Sequence, residues 1–385
     1  MKTSRQSYIN VHRDAWVEVN LEYLAQNVKQ IKSLVKKGVK LLAVVKADAY
    51  GHGAVMTAPT MLASGVDMLG VASIDEGLNL RDAKIDCDIL VLGAVPVWAF
   101  ECAVENNISI SIFSYEHLLA CKQAFERTGK KVKAHVKIDT GMNRIGVEEK
   151  NAITFIKEVQ HCDFIDLQGV FTHLACAESE KETELQLEKW KKIIAEIDTK
   201  NLTLHILNTA GIMSYPESQF DMVRAGIGLY GLMPELNEVK GEKGKVKSDA
   251  KCSNLLPLKS IIALKGRVTR IHTMPAGEGL SYGKTFVADR PVKVATVPIG
   301  YADGVPRALS NKIFGIIDGK KVRQIGNITM DQMMFDITDI EAQEGDVVTL
   351  LGDEISIDDW AKIVGTINYE LTCRLKVRLP RVYTR

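Results

Sequence analysis

The sequence predicts an α/β protein with an N-terminal (β/α)8 barrel and a C-terminal, mostly β domain. Short apolar runs alternate with longer amphipathic segments over the first 230 residues. A charged segment with few apolar residues, 240–251, interrupts this pattern, and the runs beyond it are short and separated by turn residues. We therefore expect a barrel over 1–239, a linker or exposed loop over 240–251 and a β domain over 252–385.

Eight runs in the first part have the length and composition of strands. They are 40–45, 67–72, 88–93, 108–113, 132–139, 167–173, 202–207 and 222–226. The segments between them, such as 21–37 and 182–197, carry apolar residues at spacings of three and four, which is typical of amphipathic helices. Alternation of strand and helix predicts a parallel sheet, and eight such units predict a closed TIM-type barrel.

The C-terminal part reads as β structure with turns between the strands. Its β-like runs are 259–272, 292–300, 312–326, 332–337 and 346–352. The segment 357–365 is the one clear helical pattern there.

The composition favours a soluble protein that handles a small molecule. Lys plus Arg number 49 and Asp plus Glu number 48, so the formal charge of +1 gives no reason to expect nucleic acid or a membrane as partner. No apolar run has the length of a signal peptide core or a membrane span. The 7 cysteines form no Cys-x-x-Cys pair, so neither a disulfide framework nor a metal site is implied, and we expect a reducing cytoplasm.

Several polar residues follow the predicted barrel strands, where a barrel carries its active site. Lys46 follows the first strand, His173 ends the sixth, Thr209 follows the seventh and Arg224 lies in the eighth. Lys46 is either a surface residue at a strand end or a reactive amine, and His173 alone reads as a core histidine. Their occurrence on one rim favours the catalytic interpretation.

The glycine-rich segment 225–231 follows the eighth strand, where barrels often bind phosphate. It matches G-x-G-x-x-G, but it ends the series of strand–helix units instead of opening one, so we reject a dinucleotide site. A reactive lysine facing an anion site suggests an aldehyde cofactor with a phosphate, and pyridoxal phosphate fits. Tyr50 would then reach the phosphate, and Arg224 or His173 would meet the ring.

Eight motifs occur in order through both predicted domains. They are VVKADAYGHG (44–53), HVKIDTGMNRIGV (135–147), THLA (172–175), VRAGIGLYG (223–231), GEGLSYG (277–283), PIGYADG (298–304), MDQ (330–332) and NYE (368–370). Through these motifs the chain resembles the bacterial alanine racemase family. The resemblance implies a pyridoxal-phosphate-dependent homodimer that interconverts L- and D-alanine and supplies D-alanine for peptidoglycan.

The resemblance also implies roles for individual residues. Lys46 would hold the cofactor covalently and act as the base for D-alanine, and Tyr282 of the partner subunit would act as the base for L-alanine. The phosphate would be bound by Tyr50, Thr209, Gly226, Ile227 and Tyr369.

The resemblance also implies contacts to the cofactor ring and to the substrate. Arg224 would donate to the pyridine nitrogen and His173 would stack on the ring. Arg144 would contact the phenolic oxygen and the substrate carboxylate, opposite the backbone of Met330. Lys137 matches a lysine that is carbamylated in many members. The residues implied to line the entrance are Glu178, Tyr301, Arg307 and Ile367.

The chain departs from the family pattern at Asn327, where members commonly carry arginine. The loss of a positive charge there leaves the range of substrates open. Three alternatives remain: a racemase of serine or a basic amino acid, a pyridoxal-phosphate decarboxylase and a non-catalytic carrier of the cofactor. A decarboxylase needs a carboxylate at the ring nitrogen, so Arg224 argues against it, and Tyr282 in the β domain argues against a carrier.

Overall fold

The computed structural model describes residues 12–234 and 256–385, and contacts group them into two units. The barrel unit consists of Leu24–Ala49 and the described residues of Ala54–Leu258. The β unit consists of the described residues up to Tyr23, Tyr50–Gly53 and Lys259–Arg385. The predicted linker, 240–251, lies outside the described residues, so the three domain boundaries stay a prediction.

All eight predicted barrel strands are present. Numbered along the chain after β1 (Ala15–Asn20), the strands of the barrel unit are β2 (Lys40–Val44), β3 (Met68–Val71), β4 (Ile89–Val91), β5 (Ser109–Ile112), β6 (Val132–Asp139), the short β7 (Val147–Glu148), β8 (Ile165–Phe171), β9 (Thr203–His205) and β10 (Met222–Ala225). Each pairs in parallel with its neighbours, β10 pairs with β2, and β5 pairs with β6 to close the ring. The prediction of a closed eight-stranded barrel is confirmed.

Helices connect the strands and cover the barrel. They are α1 (Leu21–Ser33), α2 (Ala54–Ala63), α3 (Ile74–Asp82), α4 (Phe100–Glu105), α5 (Tyr115–Thr128), α6 (Glu149–Gln160), α7 (Glu180–Ala195) and α8 (Thr209–Ser214). Strands β3, β4 and β5 are buried at every residue, as expected of parallel strands packed on both faces.

Helix α1 ends at Ser33, four residues before the end of the predicted segment. Gln219 accounts for the difference. Its Oε1 accepts from Lys36 N at 2.8 Å and its Nε2 donates to Leu34 O at 2.7 Å, so the backbone after the helix bonds to a side chain instead of adding another turn. Gly38, at φ +88°, then turns the chain toward β2.

The β unit contains a nine-stranded sheet in the order β12-β15-β18-β17-β16-β19-β11-β1-β20. Its remaining strands are β11 (Ile262–Arg267), β12 (Arg270–Met274), β15 (Val292–Val297), β16 (Phe314–Ile317), β17 (Lys320–Ile325), β18 (Met333–Asp336), β19 (Val347–Leu351) and β20 (Arg381–Thr384), while β13 (Gly279–Leu280) and β14 (Phe286–Val287) form a separate pair. All neighbours are antiparallel except β1 and β20. The mostly β character is confirmed.

Three features of this unit differ from the sequence patterns. The run 259–272 divides into β11 and β12, and the run 312–326 is a hairpin that turns at Asp318 and Gly319, both at positive φ. The expected helix is α9 (Ile357–Val364), and a second one, α10 (Asn368–Arg374), follows it. No side chain caps α10, so its start carries no cap signal in the sequence.

Two further observations concern residues 12–234 and 256–385. No helix in these ranges is both long and apolar enough to cross a membrane. The described cysteines are all free thiols: Cys87, Cys102, Cys121, Cys162, Cys176 and Cys373.

Substitution of Gly146 should destabilise the fold more than substitution of Gly129. At Gly146 (φ +133°) a Cβ would lie 2.7 Å from Asp139 N, whereas at Gly129 (φ +67°) it would meet nothing within 4 Å. We expect Gly129→Ala to cost about 1–2 kcal/mol in the free energy of unfolding, from backbone strain alone. Gly146→Ala should cost about 1–3 kcal/mol more, because the backbone must also move. Urea unfolding measures both, and equal losses would contradict the proposed clash.

Candidate active site

Lys46 follows β2 and begins an unusual backbone segment. Its side chain is exposed, and the next four residues, Ala47 to Tyr50, all have φ between 52° and 54°. Left-handed backbone costs an L-residue about 1–2 kcal/mol, and such strain persists mainly at functional sites. Local bonds hold the turn, since Ala49 N donates to Val45 O at 2.8 Å and Asp48 Oδ1 accepts from Ala54 N at 2.7 Å.

Arg224, in β10, is buried and held by four acceptors. Its Nη2 donates to Thr172 O at 2.8 Å and to Ile206 O at 2.9 Å, and lies 3.1 Å from His173 Nδ1. Its Nη1 lies 2.7 Å from His205 Nδ1. Burial lowers the pKa of Arg224 to about 9, which leaves it charged at neutral pH. Among the described residues none accepts from Nε, so that N–H remains for a ligand.

The contact with Arg224 fixes the tautomers of two further histidines. A guanidinium only donates, so His205 Nδ1 is an acceptor and the ring proton sits on Nε2. That proton then points to His135 Nδ1, 3.0 Å away. Burial and the Arg224 charge lower the pKa of His135 to about 3 and that of His205 well below its usual value. Both rings are therefore neutral.

Thr209, after β9, and the Gly226–Ile227 segment, after β10, lie next to each other. Thr209 opens α8 and its Oγ1 accepts from Gly226 N at 2.9 Å, just before Ile227. At Gly228 a Cβ would come within 2.7 Å of Thr209 Cγ2 and 3.3 Å of Ile31 Cδ1, so the close packing of this segment against Thr209 leaves no room for a side chain. A hydroxyl, backbone N–H groups and the free Nε–H of Arg224 on the same rim as an exposed lysine match the donors that pyridoxal phosphate needs.

Lys137 and Arg144 flank the loop after β6. Asp139 shapes this loop, because its carboxylate accepts from the N–H groups of Gly141, Asn143 and Arg144 at 2.9–3.1 Å. Burial, followed by the charge of Arg224, lowers the pKa of Lys137 to about 7. Its Nζ is buried without a hydrogen-bond partner and lies 5.0 Å from the centre of the Phe171 ring.

His173 is half-buried and lies two residues beyond β8, which ends at Phe171 and not at His173 as the predicted strand 167–173 did. Burial and the charge of Arg224 are the main causes that lower its pKa well below the usual value. Gln186, on α7, fixes this loop by donating to His173 O at 3.1 Å and to Thr140 Oγ1 at 3.0 Å, and by accepting from Ala175 N at 2.7 Å. No sequence signal indicates this role, because Gln186 lies in an ordinary amphipathic helix pattern.

In the β unit, Tyr301 and the Met330 segment are joined by their backbones. Tyr301 N donates to Thr329 O and Ala302 N donates to Met330 O, each at 3.0 Å. Both side chains are exposed, Tyr301 by 41% and Met330 by 52%, so each is accessible to a small molecule.

A buried carboxylate, Asp303, anchors this pair of segments. The Asp303 side chain has no exposed surface and accepts from Arg13, from Arg378 and from Gly300 N. Arg378 also reaches Asp331 at 2.7 Å. Burial would raise the pKa of Asp303, but the hydrogen bonds from Arg13 and Arg378 outweigh burial and lower it. Sequence analysis missed Asp303, although it lies in the PIGYADG motif.

Tyr282 lies in a tight loop with 73% of its surface exposed. Asn327, the residue that departs from the family pattern, donates from Nδ2 to Tyr282 O at 2.6 Å. Ser281 Oγ in turn donates to Asn327 O at 2.7 Å. Asn327 thus forms two hydrogen bonds with the Tyr282 loop.

The other predicted residues are distributed over both units. Tyr50 and Tyr369 lie together in the β unit, with ring centres 5.9 Å apart. Glu178 is half-buried in the barrel unit, just before α7. Arg307 and Ile367 are exposed in the β unit.

Comparison with known proteins gives one family for the whole chain. Residues 19–234 match the model of the alanine racemase N-terminal domain, and residues 261–383 match that of its C-terminal domain. An alanine racemase from a Nostoc species is 40% identical over 381 residues, or 96% of this chain and 95% of that protein. The alanine racemase of Clostridium difficile 630 has a TM-score of 0.90 at 37% identity, with 97% of both chains covered.

A second solved structure gives the same family. The Bacillus anthracis alanine racemase with bound L-Ala-P has a TM-score of 0.86 at 34% identity, covering 97% of this chain and 96% of that one. The fold and the site define a barrel enzyme of the racemase class. The chain belongs to the alanine racemase family, which confirms the resemblance inferred from the motifs.

Loss of the Asp303 charge should destabilise the protein at neutral pH. Asp303→Asn leaves Arg13 without a carboxylate and Arg378 with Asp331 alone, and we expect a loss of about 2–3 kcal/mol in the free energy of unfolding. Asp331→Asn, at a 58% exposed side chain, is the control and should cost less than about 1 kcal/mol.

The difference in the free energy of unfolding between wild type and Asp303→Asn should depend on pH. Because the folded-state pKa of Asp303 is lowered, its contribution is complete above the unfolded pKa of about 3.9 and is lost as pH falls through the folded value. The gap between wild type and Asp303→Asn in urea unfolding should therefore shrink in acid. A difference in stability that stays constant as the pH falls below the folded-state pKa of Asp303 would show that the ionised carboxylate is not its cause.

Proposed function

We propose that the protein interconverts L-alanine and D-alanine with pyridoxal phosphate as cofactor. Family membership across both domains supports the reaction. The observation that carries the cofactor assignment is Arg224, a buried cation whose two terminal nitrogens, Nη1 and Nη2, are held by four acceptors while its Nε–H stays available. Thr209, Gly226 and Ile227 lie on the same rim and are inferred to bind the phosphate, with the Thr209 hydroxyl as a donor because its oxygen already accepts from Gly226 N. Tyr50 and Tyr369 are inferred to complete the binding.

In this proposal two side chains remove and return the proton on Cα of the substrate. When bound, pyridoxal phosphate weakens the bond between Cα and hydrogen of an amino acid. Racemisation then requires one group to take that proton and another to return one on the opposite face. We assign Lys46 Nζ to the D face, where it also holds the cofactor covalently. We assign the hydroxyl of Tyr282 of the partner subunit to the L face.

Arg224 favours racemisation over the competing reactions. A guanidinium with a pKa of about 9 keeps its proton at neutral pH and donates a hydrogen bond without transferring charge. The pyridine nitrogen then stays unprotonated, which limits withdrawal of electrons from Cα and favours return of the proton there. A decarboxylase needs a carboxylate that keeps the pyridine nitrogen protonated, so the decarboxylase alternative is disfavoured.

Lys137 has the properties of a carbamylated lysine. With a pKa of about 7, a large fraction of its amine is neutral at neutral pH. A neutral amine attacks carbon dioxide, forms a nitrogen–carbon bond and releases one proton, which leaves an anionic carbamate. That anion would satisfy the unpartnered Nζ and pair with Arg144, whose charge already acts on Lys137.

The remaining assignments concern substrate and assembly. Arg144 is inferred to bind the substrate carboxylate, with the backbone of Met330 opposite, and His173 is inferred to stack on the cofactor ring. Access is assigned to Glu178, Tyr301, Arg307 and Ile367. We infer a homodimer with shared active sites that works in the cytoplasm and supplies D-alanine for peptidoglycan. The free thiols of the described cysteines support a reducing compartment.

Replacement of Lys46 tests the reaction and the cofactor together. Purified protein should absorb as a lysine-linked pyridoxal phosphate, racemise alanine in a chiral assay and lose its absorption band on treatment with borohydride. Lys46→Ala should retain less than about a thousandth of the activity, since both the link and one base are lost. Lys133→Ala, in β6 and outside the proposed site, is the control. Full activity of Lys46→Ala would refute the assignment.

Mixed dimers test the shared site. Tyr282→Ala and Lys46→Ala chains should each be inactive alone. When all chains are in heterodimers, each dimer contains one intact composite site, so activity should recover to about half of wild type if the sites act independently. Random exchange of equal amounts makes about half of the dimers mixed, and the expected recovery is then about a quarter. Absence of recovery despite exchange demonstrated by native mass spectrometry would assign Tyr282 to its own subunit or to no site.

A further inference from the structure

Glu76, in the first turn of α3, makes two hydrogen bonds that its sequence position does not predict. Ser73 caps α3 and accepts from Glu76 N, so Ser73-x-x-Glu76 has the pattern of a capping box. In such a box the glutamate returns to the N–H of its own cap residue. Here Oε2 accepts from Ala72 N and Oε1 accepts from Ala47 N, both at 2.7 Å.

The second of these bonds reaches the segment that carries the reactive lysine. Ala47 N belongs to the peptide that joins Lys46 to Ala47, the first residue of the left-handed turn. Ala72 follows β3, the neighbour of β2 in the barrel. The carboxylate therefore bridges the carboxyl ends of two adjacent strands, and charge-assisted bonds of this length are stronger than neutral ones.

We propose that Glu76 is a positioning residue for Lys46. Its carboxylate fixes the plane of the Lys46–Ala47 peptide and so aims the Lys46 side chain from the strand end toward the cofactor. Backbone in the left-handed region is unfavourable for L-residues, so the turn needs such an external contact to keep one orientation. This inference rests on the proposed function, because it concerns the reaction of the Lys46 amine with the cofactor aldehyde.

A second glutamate provides a matched comparison. Glu182 stands three residues after its cap, Ser179, in α7, and its N–H donates to the cap in the same way at 3.4 Å. In the described chain its carboxylate bridges no pair of backbone N–H groups. Glu76 and Glu182 thus share the helix position and differ in the contact with the Lys46 turn.

The experiment compares two ligands of the same site. Pyridoxal phosphate links to Lys46 through its aldehyde, whereas pyridoxine 5′-phosphate keeps the ring and phosphate but has no aldehyde. Affinities of the cofactor-free protein for both are measured by calorimetry, and the Lys46 link is quantified by borohydride reduction and peptide mass spectrometry. Glu76→Ala, Glu76→Gln and Glu182→Gln are compared with wild type.

We expect the Glu76 variants to lose affinity for the aldehyde form alone. Glu76→Ala should bind pyridoxal phosphate about tenfold more weakly, with Glu76→Gln in between because its one oxygen keeps one of the two bonds. Binding of pyridoxine 5′-phosphate should change less than about twofold, and Glu182→Gln should resemble wild type for both ligands. Hydrogen exchange of the peptide that contains residues 47–50 should be faster in the Glu76 variants.

Each contrary outcome has a separate meaning. If Glu76→Gln lost affinity equally for both ligands, this would indicate general damage to the barrel rim and overturn the positioning role. Glu76 variants that match Glu182→Gln would also overturn it while leaving the proposed function intact. Wild-type protein that binds both ligands equally and carries no label on Lys46 would overturn the proposed function and this inference with it.

Discussion

The pairing of β5 with β6 closes the barrel, and every site residue of the barrel unit depends on this closure. Because all eight strands are parallel, a closed ring brings their carboxyl ends to a single rim. Lys46, Lys137, His173 and Arg224 come from strands or loops spread over nearly 180 residues of sequence, yet the ring gathers them without any special long-range contact. The same closure leaves no strand of the ring with an unpaired edge. The loops at the rim can therefore differ in sequence without disturbing the pairing of the strands.

A single permanent cation then determines the protonation of its neighbours. Arg224 is buried and is held by two carbonyl oxygens and two imidazole nitrogens instead of by a carboxylate. Its charge contributes to the lowered pKa values of His135, His173, His205 and Lys137. At neutral pH these histidines are neutral, whereas Lys137, with a pKa of about 7, changes its charge near neutral pH.

The β unit contains a buried anion where the barrel unit contains a buried cation. There a buried anion, Asp303, is neutralised by two arginines, and its pKa falls because the partners outweigh burial. The carboxylate joins the Tyr301 segment to the Met330 segment through Gly300 N and Arg378. In both units a charge that water does not reach is used to fix backbone, and the loops that carry site residues are rigid for that reason.

The sequence was most informative where a pattern repeats and least informative where one side chain bonds to distant backbone. Eight apolar runs were enough to predict the barrel, and the ends of those runs led to Lys46 and Arg224. The hairpin β16–β17 and the strand β1 have weaker patterns, since β1 gains its partners from β11 and β20 at the far end of the chain. Gln186, Asp303 and Glu76 were missed as site residues because each looks like an ordinary helix or loop residue until its acceptors are known.

The left-handed turn after Lys46 has a stereochemical consequence. Four successive L-residues there occupy the region of backbone space that is relaxed for the mirror-image amino acids. The segment from Ala47 to Tyr50 is thus a stretch of L-polypeptide folded as D-polypeptide prefers to fold. In a family named for interconverting the two hands of an amino acid, the chain after Lys46 is itself held in the conformation that the opposite hand prefers.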